Sequence, residues 1–271
     1  MNNLIYHQFK FFIIIVVCFS LLFLFYHNLY YSWGAPILFD GSYRVFSGEL
    51  PHRDFYCTFG EILYFFGAIG LNIIPNSLMG LNLGFLFFSF ILCLIAYRSI
   101  GEAFDYSINC KFAIIFICIL YLFPRMMAYE FSWLYAGIYN RISYGIMGTV
   151  IISLIPLIYN KTKNIEPVIW SGVLIGTLLY LKITFFIVML SFLIIFIVSP
   201  INKKQLKFLF LSIFSTILLL GGVIGWDFLS FYLDLKYTFD IGTDGLYRNR
   251  IFQIQNYFHI ISFISLIFIV F

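Results

Sequence analysis

The sequence predicts an all-α, polytopic membrane protein with about eight transmembrane helices and interfacial helices in its first outer loop. Two observations support this class. Apolar residues make up 62% of the 271 residues and charged residues only 10%, against about 25% charged residues in a typical soluble domain. Apolar runs that approach the length of a membrane-crossing helix also repeat along the chain. A surface so poor in charge is not soluble, so we expect a single transmembrane domain over residues 1–271.

Eight apolar runs are interpreted as membrane spans. The first is not a cleavable signal peptide, because aromatic residues rather than small ones follow it. Lys182 splits one long apolar stretch into two of the runs. The last run reaches the final residue without a polar flank, so we expect a truncated chain. The runs are Phe11–Tyr26, Leu78–Tyr97, Phe112–Phe123, Ile142–Tyr159, Val168–Leu181, Ile183–Val198, Phe208–Gly225 and Tyr257–Phe271.

A shorter apolar stretch, Ile62–Ile74, has only 13 residues before Pro75. As a helix it would rise about 20 Å, whereas the hydrocarbon core of a bilayer is about 30 Å thick. We therefore predict an interfacial or re-entrant helix at residues 62–74. Counting this stretch as a span would reverse the orientation of every later loop, so the distribution of charge has to decide.

Charged residues divide between the two alternating sets of loops. Seven of the nine lysines fall on one side, and nine of the twelve carboxylates fall on the other. Because Lys and Arg collect in cytoplasmic loops, we place the lysine-rich side and the N-terminus in the cytoplasm. Residues 27–61 then form an extracytoplasmic loop of a multi-pass protein in the cytoplasmic (inner) membrane. No basic stripe occurs, so the expected partner is the lipid bilayer and not nucleic acid.

The polar segment Ile37–Glu61 is the one long polar interruption in the first hundred residues. Three structural explanations for its charges stay open: Asp40 as a helix N-cap, Asp40 and Arg44 as a surface pair four residues apart on a helix, and a solvated turn at residues 52–54. The segment holds seven of the 32 Asp, Glu, Lys, Arg and His residues of the chain, which are Asp40, Arg44, Glu49, His52, Arg53, Asp54 and Glu61.

Taken together, the residues of the polar segment form a longer pattern than any of these explanations requires. With its flanks it reads FDGSYRVFSGELPHRDFYCTFGEILYFF. This resembles the first outer loop of GT-C class glycosyltransferases, which take a sugar from a polyprenyl-phosphate carrier and include protein O-mannosyltransferases and the lipid A aminoarabinose transferase. Further on, Gly172, Gly176 and Lys182 are similar to a glycine–lysine segment of that class at the outer membrane face. Glycines at this spacing also suit plain helix packing.

The resemblance implies an inverting transfer of sugar, with residues 27–61 as a catalytic-type loop. Asp40 would be the base or would hold a metal, and Asp54 would be an assisting carboxylate. Such a transfer needs a base for the acceptor hydroxyl and cations for the phosphate leaving group. Each candidate cation could instead snorkel or pair within its loop. The candidate phosphate-binding residues are Arg141, Lys182, Arg125, Arg53 and Arg44.

Departures from the pattern limit what the resemblance implies. Several relatives carry a second acid as Arg-x-Asp, whereas this chain has serine at position 143; either Glu130 replaces that acid or one acid suffices. Gly41 stands where many relatives have Glu, which weakens a role for metal. The cofactor is therefore unassigned: a divalent metal is not required, and the five cysteines have no metal-ligand spacing. The sugar and the acceptor also stay open.

Two other functions fit the sequence. A transporter or flippase of lipid-linked saccharide would place ionisable residues in the middle of the membrane around a cavity, and Lys182 is the one residue predicted near such a position. An inactive structural subunit of a polysaccharide-assembly complex in the cell envelope would fit a truncated chain. A labelled donor separates the first two functions, because transfer breaks the sugar–phosphate bond and transport keeps it intact.

Overall fold

A computed structural model describes residues 34–57, 60–122, 134–158, 164–198, 202–225 and 227–246. Within these ranges the regular structure is helical, which confirms the predicted all-α class. The chain divides into two compact units, residues 1–226 and 227–271. The helices are α1 (Gly34–Phe46), α2 (Glu61–Ile73), α3 (Leu78–Ala103), α4 (Ile108–Leu122), α5 (Leu134–Ile158), α6 (Glu166–Leu181), α7 (Ile183–Val198), α8 (Lys203–Ile224) and, in the second unit, α9 (Phe228–Leu246).

Three helices in the described part of the chain are long and apolar enough to cross a membrane. They are α3 with 26 residues, the portion Ile138–Ile158 of α5 with 21 residues, and α8 with 22 residues. The predicted spans at α4, α6 and α7 form helices of 15 or 16 residues, which rise about 24 Å at most. The predicted spans Phe11–Tyr26 and Tyr257–Phe271 lie outside the described residues.

Helix α2 matches the predicted short helix at residues 62–74 to within one residue at each end. It begins directly after Gly60 and ends before Pro75, because the residue before a proline is disfavoured in helical conformation. Ser77 then caps α3 by accepting a hydrogen bond from the backbone N–H of Met79. The interfacial or re-entrant position of α2 relative to a bilayer stays a prediction.

Helix α2 packs between α1 and α3, and small residues allow the helices to approach closely. A Cβ on Gly70 would overlap the carbonyl oxygen of Gly80, and a Cβ on Gly84 would overlap that of Phe66. On the other side, a Cβ on Gly67 would collide with Ser42 of α1. The backbones of α2 and α3 are therefore in direct contact, as at small-residue helix crossings in membranes.

A second small-residue crossing joins α6 to α8. Gly172 packs against Ser212, and four residues later Gly176 packs against Thr216. The hydroxyl of Tyr180 continues this contact by donating a hydrogen bond of 2.7 Å to a backbone carbonyl of α8. The two glycines of the predicted glycine–lysine segment thus serve helix packing, one of the two explanations that the sequence left open.

Polar contacts tie the far end of α3 to the start of α6. Arg98 forms an ion pair of 2.7 Å with Glu166, and Ser99 donates a hydrogen bond to Ser153 of α5. Glu102 accepts a hydrogen bond of 2.6 Å from Asn164. Because α6 begins at this end of the bundle, its last residue lies at the opposite end, where the polar segment is found.

We expect Gly70→Ala to lower the thermal unfolding temperature in detergent by several degrees, because the new methyl group would force the backbones of α2 and α3 apart. Overpacking of this kind typically costs about 1–3 kcal/mol. The matched control is Gly222→Ala in α8, where a Cβ meets no atom within 4 Å, and alanine favours a helix over glycine. Equal melting temperatures for the two variants would contradict a tight α2–α3 crossing.

Candidate functional site

Asp40 lies in the interior of α1, not at its start. The helix begins six residues earlier, at Gly34, so the interpretation of Asp40 as an N-cap is wrong. Its Oδ2 accepts a hydrogen bond of 2.9 Å from Nε of Arg44, one helical turn on, which confirms the predicted surface pair. The Asp40 side chain is 66% exposed, and its Oδ1 has no hydrogen-bond partner among the described residues.

Arg44 connects three parts of the polar segment. Besides Asp40 it donates a hydrogen bond of 3.2 Å from Nη1 to Glu49, and its guanidinium lies 5.5 Å from the centre of the Phe55 ring. The hydrogen bond that Arg44 donates to Asp40 and the charges of both carboxylates raise the pKa of Arg44. Two carboxylates already pair with this cation, so its contacts favour an ordering role in the segment over contact with a phosphate.

The predicted turn at residues 52–54 is present. The backbone of Pro51 pairs with that of Phe55 across it, and Asp54 accepts a hydrogen bond of 2.8 Å from the N–H of Leu50. Arg53 donates two hydrogen bonds to the same carboxylate. The bonds from Arg53, followed by the one from Leu50, lower the pKa of Asp54. This carboxylate is therefore ionised and held within its own turn.

His52 departs from the predicted solvated turn, since its side chain is buried against Glu61. His52 Nε2 lies 2.7 Å from Oε1 of Glu61, and the two side chains are only 7% and 2% exposed. Sequence reasoning named both residues but missed the pair. The available signal was Glu61, an acid at the first position of an otherwise apolar helix. A carboxylate there interacts favourably with the helix dipole, but it needs a polar partner if it is buried.

The polar segment packs over the ends of α6 and α8. A Cβ on Gly60 would overlap the carbonyl group of Leu181, the last residue of α6. Leu50 lies against Gly225, which ends α8 in a left-handed conformation with φ of 66°. Gly60 directly precedes Glu61, and Leu181 directly precedes the predicted cation Lys182. The contact between Gly60 and Leu181 therefore brings the backbone beside Glu61 next to the backbone beside Lys182.

Lys182 has an extended backbone conformation and lies between α6 and α7, outside the three candidate spans. Its Nζ donates a hydrogen bond to Oδ1 of Asn140 and lies 4.5 Å and 5.2 Å from the ring centres of Tyr139 and Phe185. No carboxylate in the described part of the chain pairs with it. Burial lowers the pKa of Lys182 to about 8, because it penalises the charged amine.

Arg141 follows Asn140 in α5 and is half-buried. Its side chain forms no hydrogen bond or ion pair with the residues that the structure describes. Arg141 is thus the sequence neighbour of the residue that accepts the Lys182 hydrogen bond. Both cations are half-buried, and no described carboxylate neutralises either of them. The fifth predicted phosphate-binding residue, Arg125, lies outside the described residues.

The predicted site residues fall into separate groups. Asp40 pairs with Arg44, and Asp54 pairs with Arg53, so each predicted catalytic carboxylate has its own arginine. Lys182 is held by a neutral amide. Within the described ranges no three His, Cys, Asp or Glu side chains are grouped to hold a metal ion. The arrangement offers an exposed carboxylate oxygen and two cations able to contact an anion.

We predict that the Lys182 amine titrates near pH 8. Its reaction with a dilute acylating reagent, read by mass spectrometry of the Lys182 peptide, should therefore reach half of its maximal rate near that pH, because only the uncharged amine reacts. Exposed Lys203 from the same digest standardises the reagent. A midpoint at the ordinary lysine value of 10.5 would contradict the burial of this amine.

Comparison of the whole chain with known proteins adds no assignment to this site. No protein-family model, no curated protein and no solved structure matches the chain.

Proposed function

We propose that the chain is an integral membrane glycosyltransferase. It transfers a sugar from a polyprenyl-phosphate carrier to an acceptor at the outer face of the cytoplasmic membrane. One observation carries the proposal: the polar segment with Asp40 and Asp54 packs on the end of α6, where Lys182 lies beside α5. Helix α1 also packs against α5, the helix that contains Arg141. Carboxylates and cations therefore converge on one end of the bundle.

Lys182 and Arg141 are the best candidates for binding the carrier phosphate. They are half-buried and have no described carboxylate partner, so an anion would satisfy charges that the described protein leaves unpaired. Arginine suits two parallel hydrogen bonds to phosphate, and lysine acts as a compact charge. Arg44 and Arg53 are weaker candidates, because described carboxylates already accept their hydrogen bonds.

Asp40 is the best candidate for the base. It is the more exposed of the two predicted catalytic carboxylates, and one of its oxygens is open to an acceptor hydroxyl. In the transfer the acceptor oxygen forms a bond to the anomeric carbon while the bond from that carbon to the phosphate oxygen breaks. Asp40 takes the hydroxyl proton, and the phosphate leaves on the carrier with its negative charge stabilised by cations. Asp54 is tied into its turn and assists.

Replacement of Asp40 by asparagine should abolish sugar transfer from a lipid-linked donor, because the amide cannot accept the proton. Loss of a general base typically lowers the rate by about 10²–10⁴-fold. Expression and membrane insertion should stay normal, since Asp40 is exposed and its one bond is to Arg44. The measurement is release of labelled sugar from its polyprenyl phosphate in membranes.

The matched control is Asp105→Asn. Asp105 is also exposed, lies in the turn after α3 and has φ of 49°, a conformation that asparagine tolerates. This variant should keep full transfer. Near-normal transfer by Asp40→Asn, or equal losses in the two variants, would remove Asp40 from the mechanism.

A transporter or flippase of the same lipid-linked saccharide is the second candidate. The buried His52–Glu61 pair favours it if α2 enters the bilayer as a re-entrant helix, because ionisable residues within the membrane mark transport pathways. The same labelled donor distinguishes the two functions in sealed vesicles. Movement of the donor across the bilayer with its sugar–phosphate bond intact supports transport and opposes transfer.

The proposal requires the polar segment to face outward and the N-terminus to lie inside. Cys57 is a poor reporter of this topology, because it is only 7% exposed. Ser47 in the polar segment and Ser107 between α3 and α4 are both exposed. An impermeant maleimide should label Ser47→Cys in intact cells and Ser107→Cys only after permeabilisation, each compared with the parent chain.

The opposite labelling pattern would place Asp40 in the cytoplasm and rule out transfer at the outer face. Labelling of both cysteines in intact cells would mean an even number of membrane crossings between residues 47 and 107: either neither helix crosses, or α2 crosses as well as α3. Because both variants replace an exposed serine by cysteine, a difference in their labelling reports sidedness and not reactivity.

A further inference from the structure

The His52–Glu61 pair is much more deeply buried than the ion pairs of Asp40, Asp54 and Glu166. Glu61 is 2% exposed and is the first residue of α2. On the α6 side, Tyr180 lies near enough for an electrostatic interaction with Glu61. Removing two ionisable groups from water is unfavourable and is offset only by good geometry and further hydrogen bonds. Such a pair is retained more readily for specificity than for stability.

The backbone of His52 adds a second observation. Its φ is 65°, in the left-handed region that few residues other than glycine occupy, although histidine, asparagine and aspartate enter it more often than the rest. Strained residues of this kind persist where their surroundings hold them, and they cluster at functional sites. Here the holding contacts are the bond to Glu61 and the hydrogen bond of 2.9 Å from the His52 N–H to the Phe55 carbonyl.

The turn around His52 is otherwise closed mainly on itself. The N–H of Asp54 donates to the Leu50 carbonyl, and the Asp54 carboxylate accepts from the Leu50 N–H. Its links to the rest of the chain include the contact of Leu50 with Gly225 of α8, the Arg44 guanidinium against the Phe55 ring, and an edge contact of 5.9 Å between Phe55 and Tyr64. The pair with Glu61 is a polar link that is shielded from water.

We propose that His52 and Glu61 form a latch that positions the turn Leu50–Cys57 on the start of α2. His52 is a positioning residue: it acts through Asp54, whose carboxylate is held in the same turn. When the latch is broken, the turn detaches as a unit while the helices stay packed. The role given to Asp54 rests on the proposed function, but the latch itself does not.

Cys57 is a built-in reporter of the latch. It lies at the end of the turn and is 7% exposed. Cys110 and Cys118 are also buried, with exposures of 3% and 5%, but they lie in α4, away from the turn. Local release of the turn exposes only Cys57. Global unfolding exposes all three thiols, so their relative rates separate the two events.

The experiment measures alkylation of each cysteine by N-ethylmaleimide, resolved by peptide mass spectrometry of the full-length protein in detergent. The variants are His52→Asn, Glu61→Leu and the double variant; asparagine tolerates the left-handed backbone but is too short to reach Glu61. Each single change should raise the Cys57 rate at least about tenfold, since breaking a buried pair leaves one polar group unpaired. The double variant should react no faster than the singles, because the shared contact is already lost.

Glu61→Gln is the conservative variant. Its amide oxygen can still accept a hydrogen bond from His52, so it should keep most of the protection of Cys57. Unchanged Cys57 rates in both single variants overturn the latch. A parallel rise for Cys110 also overturns it, because the turn would then not be a separate unit.

Transfer assays on the same variants separate the latch from the proposed function. If both hold, His52→Asn lowers kcat for transfer and leaves the KM for the lipid-linked donor unchanged, whereas Glu61→Gln keeps most of the parent kcat. If the parent chain transfers no sugar but Cys57 responds as expected, the glycosyltransferase proposal fails and the latch stands.

Discussion

Close approach of helix backbones at small residues is the contact on which the rest of this bundle depends. In a membrane, a leucine side chain is as favourably placed against lipid chains as against another leucine. Apolar side chains alone therefore do not specify how membrane helices pair. Direct backbone contact at Gly70 and Gly84 fixes α2 on α3, and two glycines of α6 fit against small residues of α8. These crossings set the axial positions of the helices.

The position of the polar segment follows from those crossings. Helix α2 is held against α3 with its first residue at the level where α6 ends, as the contact between Gly60 and Leu181 shows. The segment before α2 must therefore lie over the ends of α6 and α8. Helix packing thereby places the segment against Leu181, the residue before Lys182, although no ion pair within the described residues links its charged groups to Lys182.

Local features of this arrangement could be predicted from the sequence, and contacts between distant residues could not. The bounds of α2, the turn at residues 52–54 and the pair of Asp40 with Arg44 depend on residues within one or two turns of each other. The start of α1 was misplaced, because the acid before a glycine was interpreted as a cap. Pro36, which suits the first turn of a helix, was the better signal.

The buried pair and the contact of Gly60 with Leu181 have a different origin. His52 and Glu61 are nine residues apart on opposite sides of a turn, and no helical or strand periodicity brings them together. Gly60 meets α6 only because α2, α3 and α6 are packed as they are. The sequence named the charged residues of the site, but the pairing among them is decided by tertiary packing.

That pairing bears on what the site can bind. The carboxylates Asp40, Glu49, Asp54 and Glu61 all have partners within the polar segment. They therefore leave Lys182 and Arg141 without a described counterion. Burial lowers the pKa of Lys182 to about 8, because a charge without a counterion is unfavourable in a half-buried position. A phosphate beside Lys182 would offset that cost and favour the protonated amine. The same burial that disfavours the isolated charge therefore strengthens the preference of Lys182 for a bound anion.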